Sequence, residues 1–114
     1  MSNSYISVFE KDSTEYRALS NVAENLNKIA GRFNFIFYVA DIYFDYRQGW
    51  KWTTIICVSP EGDGCQILTP KDQEAILTNN AEEIEKMYTR IIGFLTRSIE
   101  TSMTITKNWE VTNK

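Results

Sequence analysis

The chain has 114 residues, 12 basic and 15 acidic, which gives a formal net charge of −3. A hydrophobic fraction of 43% and an aromatic fraction of 13% are typical of one folded domain, residues 1–114, and exclude a disordered chain. The sequence contains no histidine, so it lacks the usual general base and the most common metal ligand. Since proteins that track nucleic-acid phosphates usually carry a basic excess, this charge does not favour that class.

The chain shows no targeting or membrane signal. Its first residues lack the basic and apolar segments of a signal peptide, and no stretch approaches the ~20 apolar residues that a membrane helix needs. Two cysteines are too few for the disulfide scaffold of a small secreted protein. The sequence therefore predicts a cytoplasmic protein without a membrane partner.

The first half of the chain predicts a helix followed by a strand. Residues 1–11 are compatible with a short strand or an ordered arm. Asp12 and Glu15 have capping-box spacing, apolar residues recur at helical spacing behind them, and Gly31 is expected to end the helix with a positive φ. From residue 33 to 46 the chain is dense in aromatic and β-branched residues, which indicates a strand. Its polar positions change parity, which predicts a bulge or a break near residues 39–41.

The second half predicts a hairpin, a third strand and two helices. Gln48-Gly49 favours a tight turn, a second strand covers residues 50–59, and a loop at 60–64 leads to a short strand at 65–68. Thr69-Pro70 begins a short helix, and a longer amphipathic helix follows Asn80. Residues 104–114 allow a terminal strand or a tail. The predicted fold class is α+β, a three-stranded antiparallel sheet packed on two amphipathic helices, in the order α-β-β-β-α(short)-α.

The hairpin provides the candidate binding residues. A two-residue turn at Gln48-Gly49 pairs Arg47 with Trp50, Asp45 with Trp52 and Tyr43 with Thr54, all on the sheet face away from the helices. Tryptophan, tyrosine and arginine are enriched at binding hot spots. The candidate binding residues are Tyr43, Arg47, Trp50 and Trp52. Two alternatives remain at this stage: a terminal segment covers these rings, or a bulged turn shifts the register and buries Trp50 or Trp52.

These residues favour a small non-catalytic binding or regulatory protein that acts on a protein partner or on a second copy of itself. The first alternative is a regulator that binds single-stranded RNA with the same rings and with Arg32, Lys51 and Arg47. Asp41 and Asp45 would repel phosphates at that surface. The second alternative is a carboxylate-dependent enzyme. It is disfavoured because Asp41 and Asp45 are ~13 Å apart along one strand, too far for a catalytic pair. No cofactor is indicated.

Two further patterns have structural explanations. Lys86, Arg90 and Arg97 form a basic stripe on the long helix, a secondary candidate surface that is also typical of a solvated helix face. Cys57 and Cys65 are expected to be diagonal neighbours with Cα atoms ~7 Å apart, which favours two buried free thiols. Two thiols without histidine make at most half of a tetrahedral zinc shell, so no metal site is predicted.

Overall fold

The computed structural model of the chain describes residues 8–45 and 50–112, and within them the side chains of residues 8–42 and 51–97. The elements in chain order are α1 (Thr14–Ala30), a 3₁₀ turn (Gly31–Phe33), β1 (Ile36–Asp45), β2 (Trp50–Val58), β3 (Gly64–Gln66), α2 (Pro70–Leu77) and α3 (Ala81–Thr112). The predicted α+β class and the order of its elements are confirmed.

The ends of α1 differ from the sequence prediction. Ser13, and not Asp12, is the N-cap, because its Oγ accepts a hydrogen bond from the backbone N of Tyr16 at 3.1 Å. Gly31 ends α1 as predicted, but its φ is −60° and not positive, because the chain continues into the 3₁₀ turn. The left-handed residue is Asn34, with a φ of 67°. Asparagine tolerates this region because its short polar side chain forms local hydrogen bonds.

The sheet is antiparallel, with β2 between β1 and β3. β1 is one continuous strand through residues 39–41, so the predicted break there is wrong. The register shifts instead between Tyr43 and Asp45. The β2–β3 hairpin is closed by the backbone N of Ser59, which donates to the carbonyl of Asp63 at 2.8 Å.

The core lies between the helices and one face of the sheet, called here the inner face. Phe37 pairs with Cys57 and Val39 with Ile55, and because direct cross-strand partners share a face, all four point toward the helices. Three helices cover them with regularly spaced apolar side chains. The buried core cluster comprises Leu19, Val22, Ala23, Leu26, Ala30, Phe35, Phe37, Ile55, Cys57, Leu68, Ile76, Met87, Ile91 and Leu95.

The short helix α2 satisfies a backbone carbonyl group of β2 beyond the end of β3. Thr69 caps it in a capping box with Asp72, as its sequence predicts. The buried Gln73 donates from Nε2 to the carbonyl of Thr53 at 2.6 Å, beyond the end of β3. Residues 104–112, for which the sequence allowed a strand, belong to α3. Of the N-terminal segment, residues 8–11 form neither helix nor strand, and Phe9 packs against the core.

Candidate interaction surfaces

The β1–β2 register determines which hairpin residues share a face. Trp50 pairs with Asp45, and Trp52 pairs with Ile42, so the register predicted from a two-residue turn is wrong. The bulged alternative describes the observed pairing. A shift of an odd number of residues moves every side chain of one strand to the opposite face of the sheet. Ala40 and Ile42 therefore lie on the face away from the helices.

That second face, the outer face, carries the even-numbered residues of β1 and β2. It is almost entirely apolar, and none of its members with described side chains is charged. This departs from the usual pattern of an antiparallel sheet, in which the face away from the core alternates to polar residues. Its described members are Ile36, Tyr38, Ala40, Ile42, Trp52, Thr54, Ile56 and Val58.

Exposure on the outer face is concentrated on the edge strand β1. Ile36 is 56% exposed and Tyr38 is 45% exposed. On the central strand β2, Trp52 and Ile56 are each only 8% exposed. The expectation that Trp52 presents an exposed ring is therefore wrong, although it does lie on the face away from the helices. The sequence pattern does not reveal Ile36 and Tyr38 as surface residues, because their face follows only from the correct register.

The other candidate binding residues lie at the limit of the described chain. Arg47 belongs to residues 46–49, which are outside the described part. Tyr43 and Trp50 have backbone positions in β1 and β2, paired with Lys51 and Asp45, but their side chains are outside the described residues. Because Tyr43 is opposite Lys51 and not Thr54, the predicted pairing that grouped Tyr43 with Trp52 is wrong. The grouping of Arg47 and Trp50 with Trp52 stays a prediction.

The outer face also contains a buried hydroxyl group. Thr54 is fully buried, and its Oγ1 has no hydrogen-bond partner. It pairs with Ala40 across the sheet, between Trp52 and Ile56 along β2. A buried hydroxyl without a partner destabilises the fold by ~1–3 kcal/mol. Thr54 therefore contributes apolar packing but no hydrogen bond to this face.

Asp41 lies on the inner face of the sheet, at a position where its side chain is exposed to solvent. Thr53, directly opposite, donates from Oγ1 to Oδ1 of Asp41 at 2.7 Å. The same hydroxyl oxygen accepts a hydrogen bond from the backbone N of Phe9 at 3.0 Å. Asp41 thus helps to fix the N-terminal segment against the sheet, which explains its presence without a catalytic role.

Asn27 protects part of the free edge of β1, a function that the sequence pattern does not reveal. Its Nδ2 donates to the carbonyl of Phe37 at 2.9 Å, and its Oδ1 accepts from the backbone N of Phe37 at 2.8 Å. These two bonds satisfy backbone groups that point away from β2. An edge strand with unsatisfied groups is a template for pairing with another chain.

A groove of about 380 Å³ lies between β3 and α3 on the inner side of the sheet. It brings two of the three residues of the predicted basic stripe together, Arg90 and Arg97. The apolar part of the lining includes Phe94, which is 49% exposed. The complete lining is Cys65, Gln66, Ile67, Arg90, Ile91, Phe94 and Arg97.

The basic residues of α3 have different surroundings. Lys86 lies on the solvent side, with its Nζ 3.6 Å from Glu82 Oε1 and 3.4 Å from Glu83 Oε1. Arg90 donates from Nη2 to Oδ2 of Asp72 and so connects α3 to α2. Lys86 is therefore part of a solvated helix face. Arg90 forms a tertiary contact with α2, and its remaining N–H donors are available to the groove.

Cys57 and Cys65 are direct cross-strand partners, so the predicted diagonal arrangement is wrong. Both are free thiols, but Cys65 is exposed, whereas Cys57 is 3% exposed. Burial, and secondly the charge of a Cys65 thiolate, raise the pKa of the Cys57 thiol to about 11. Cys57 is therefore protonated at neutral pH, and an incoming reagent meets Cys65 first.

Among the described residues, no group of three or more cysteine and carboxylate side chains could hold a metal ion. Within the same residues, none of the helices has the length and apolar character required to span a membrane.

No family model, no curated protein and no solved structure matches the chain. Function must therefore be inferred from the side chains and their surroundings.

Proposed function

We propose that the chain is a small non-catalytic binding protein whose outer face packs against the same face of a second copy. The observation that carries the proposal is the exposure of Ile36 and Tyr38 on an otherwise apolar sheet face. Ile36 and Tyr38 are neighbours on this face, and adjacent exposed apolar side chains are typical of an interaction site, whereas single scattered ones are not. The non-catalytic part rests on the lack of histidine in the sequence.

A second copy is the partner that the chemistry of this face favours. A two-fold interface joins the same patch on both subunits, so the patch must be complementary to itself. The described outer-face residues are apolar or carry hydroxyl groups, and two such faces meet without burying a charge. Tyr38 adds a ring of the type that is enriched in the centres of interfaces.

The alternative of single-stranded RNA binding is less well supported. Base stacking needs exposed aromatic rings, and Trp52, the ring predicted for this role, is 8% exposed, which leaves Tyr38 as the exposed ring of the described outer face. The sequence also has an acidic net charge of −3. The free thiols of Cys57 and Cys65 are compatible with a reducing compartment, and we keep the cytoplasm as part of the proposal.

Sedimentation velocity over a concentration series tests the proposal with a matched pair of variants. Ile36→Asn changes the outer face, and Ile29→Asn makes the same change at another exposed isoleucine, on α1. Burying the exposed half of an isoleucine contributes ~1–1.5 kcal/mol, and a two-fold dimer contains two. Ile36→Asn should therefore raise the dimer Kd by roughly 30- to 150-fold.

Ile29→Asn should leave the Kd unchanged, and thermal unfolding of both variants verifies that they are folded. A wild-type chain that stays monomeric at all concentrations contradicts self-association. Equal weakening by both variants would place the interface elsewhere. Binding of a labelled RNA oligonucleotide that quenches tryptophan emission at low salt would favour the RNA alternative instead.

A further inference from the structure

The two cysteines occupy a position at which strand pairing alone brings them within reach of a disulfide. Backbone bonds from Ser59 N to Asp63 O at 2.8 Å and from Ile67 N to Ile55 O at 3.3 Å flank the Cys57–Cys65 pair. Since hydrogen-bonded pairs recur at every second residue, Cys57 and Cys65 form such a pair, with Cα atoms ~5.5 Å apart. Disulfides occur at Cα separations of roughly 4.4–6.8 Å.

Access to the two thiols is unequal. Cys57 is 3% exposed and belongs to the core, whereas Cys65 is exposed and lines the groove between β3 and α3. A reagent in that groove therefore reaches the Cys65 sulfur atom without disturbing the core.

The groove has the chemistry to receive an acidic reagent. Arg90 and Arg97 both line it. A guanidinium has five N–H donors, so the contact of Arg90 with Asp72 leaves other donors of Arg90 available. Arg97 Nη1 lies 3.8 Å from the position that a Cβ on Gly93 would occupy. Its guanidinium therefore folds back along α3 toward Arg90. Two guanidinium groups that line one groove favour carboxylate groups.

From this arrangement we infer that Cys65 is a site of reversible thiolation by an acidic low-molecular-weight disulfide, and that Cys57 is its resolving thiol. The Cys65 thiolate attacks one sulfur atom of the disulfide RSSR, which forms the mixed disulfide Cys65–SR and releases RS⁻. Cys57 then loses its proton and attacks the Cys65 sulfur atom, which forms the Cys57–Cys65 disulfide and releases a second RS⁻. Two electrons pass from the protein to RSSR, which leaves as two thiols.

The internal disulfide of this pair is strained and therefore reversible. In a hydrogen-bonded cross-strand pair the Cβ atoms are ~5.5 Å apart, whereas disulfides have a mean Cβ separation of about 3.8 Å. Closing the bond pulls β3 toward β2 at the wall of the groove. Strained disulfides are more readily reduced than relaxed ones, which is typical of regulatory bonds.

The test uses the full reduced chain and two disulfides of opposite charge. Glutathione disulfide carries carboxylates, and cystamine carries ammonium groups and no carboxylate. Intact mass and peptide mapping follow each reaction. We expect a glutathionyl group on Cys65 first, followed by conversion to the Cys57–Cys65 disulfide. Cys57→Ser should stop at the mixed disulfide, and Cys65→Ser should take up no glutathionyl group while folded.

The charge dependence is tested separately with Arg97→Gln and, as a matched control outside the groove, Arg17→Gln. Arg97→Gln should lower the ratio of the glutathione disulfide rate to the cystamine rate about threefold, the size of one exposed charge contact. Arg17→Gln should leave this ratio unchanged. The inference is overturned if Cys57 is modified first, if the wild-type mixed disulfide never converts to the internal one, or if both arginine variants give the wild-type ratio.

Discussion

Removal of the Asn27 side chain should destabilise the domain through the edge of β1. The amide of Asn27 forms hydrogen bonds of 2.9 and 2.8 Å with the backbone carbonyl and N–H of Phe37. Asn27→Ala leaves both groups without their protein partner. Each such bond contributes about 1 kcal/mol net, so the loss should be about 2 kcal/mol.

The control is Asn21→Ala, which makes the same substitution on the exposed side of the same helix. Both variants gain the same helix propensity, so the difference between them isolates the two hydrogen bonds. Urea unfolding followed by circular dichroism measures that difference. Asn27→Asp keeps the acceptor but places a carboxylate oxygen against the carbonyl of Phe37, so it should also lose stability relative to the wild type. A difference below ~0.5 kcal/mol between the unfolding free energies of the two alanine variants would refute the stabilisation of β1 by Asn27.

Three further predictions follow from individual side chains. Thr54→Val removes a fully buried hydroxyl without a partner, so urea unfolding should show a gain of about 1 kcal/mol; a loss contradicts the assignment. Thr69→Ala removes the N-cap of α2 and should lower the unfolding free energy by ~1 kcal/mol; an unchanged midpoint would show that the cap contributes nothing. The pKa of Cys57 is raised from 9.0 to about 11, so the unfolded chain releases this proton first as the pH rises. The stability of the wild type, measured against Cys57→Ala, should therefore fall by up to ~3 kcal/mol between these two pH values, and parallel pH profiles would contradict this.

Local chemistry made the helix starts predictable. Thr69 followed by Pro70 combines a capping side chain with a residue suited to the first helical turn, and the structure has that cap. The start of α1 shows the limit of the same method. Asp12 and Ser13 are adjacent and both can cap a helix, and the sequence does not indicate which of them accepts the bond from Tyr16.

The hairpin register could not be read from sequence because it depends on the length of the connection and on a bulge. Gln48-Gly49 matches a two-residue turn, yet Asp45 pairs with Trp50 and the register shifts next to Tyr43. One such shift reverses the faces of a whole strand. The predicted fold class is still correct, because it depends only on the order of the elements. The predicted list of exposed residues is wrong, because it depends on the register.

The same reasoning explains the cysteine error. The sequence predicts a loop over residues 60–64, whereas the chain turns more tightly, with Ser59 bonded to Asp63 and with Gly62 at a φ of 92°. This moves Cys65 from diagonal to directly opposite Cys57. Its exposure in the groove depends on α3, which packs there through contacts distant in sequence.

Isotope-filtered NMR on a mixture of labelled and unlabelled chains tests the central claim most directly, since it detects only contacts between copies. If two outer faces pack together, protons of Ile36 and Tyr38 should show intermolecular cross-peaks at concentrations where the chain is dimeric. Phe94, an exposed ring in the groove of the inner side, should show none. Cross-peaks confined to Phe94, or none at Ile36 and Tyr38 in a dimeric sample, would contradict the account.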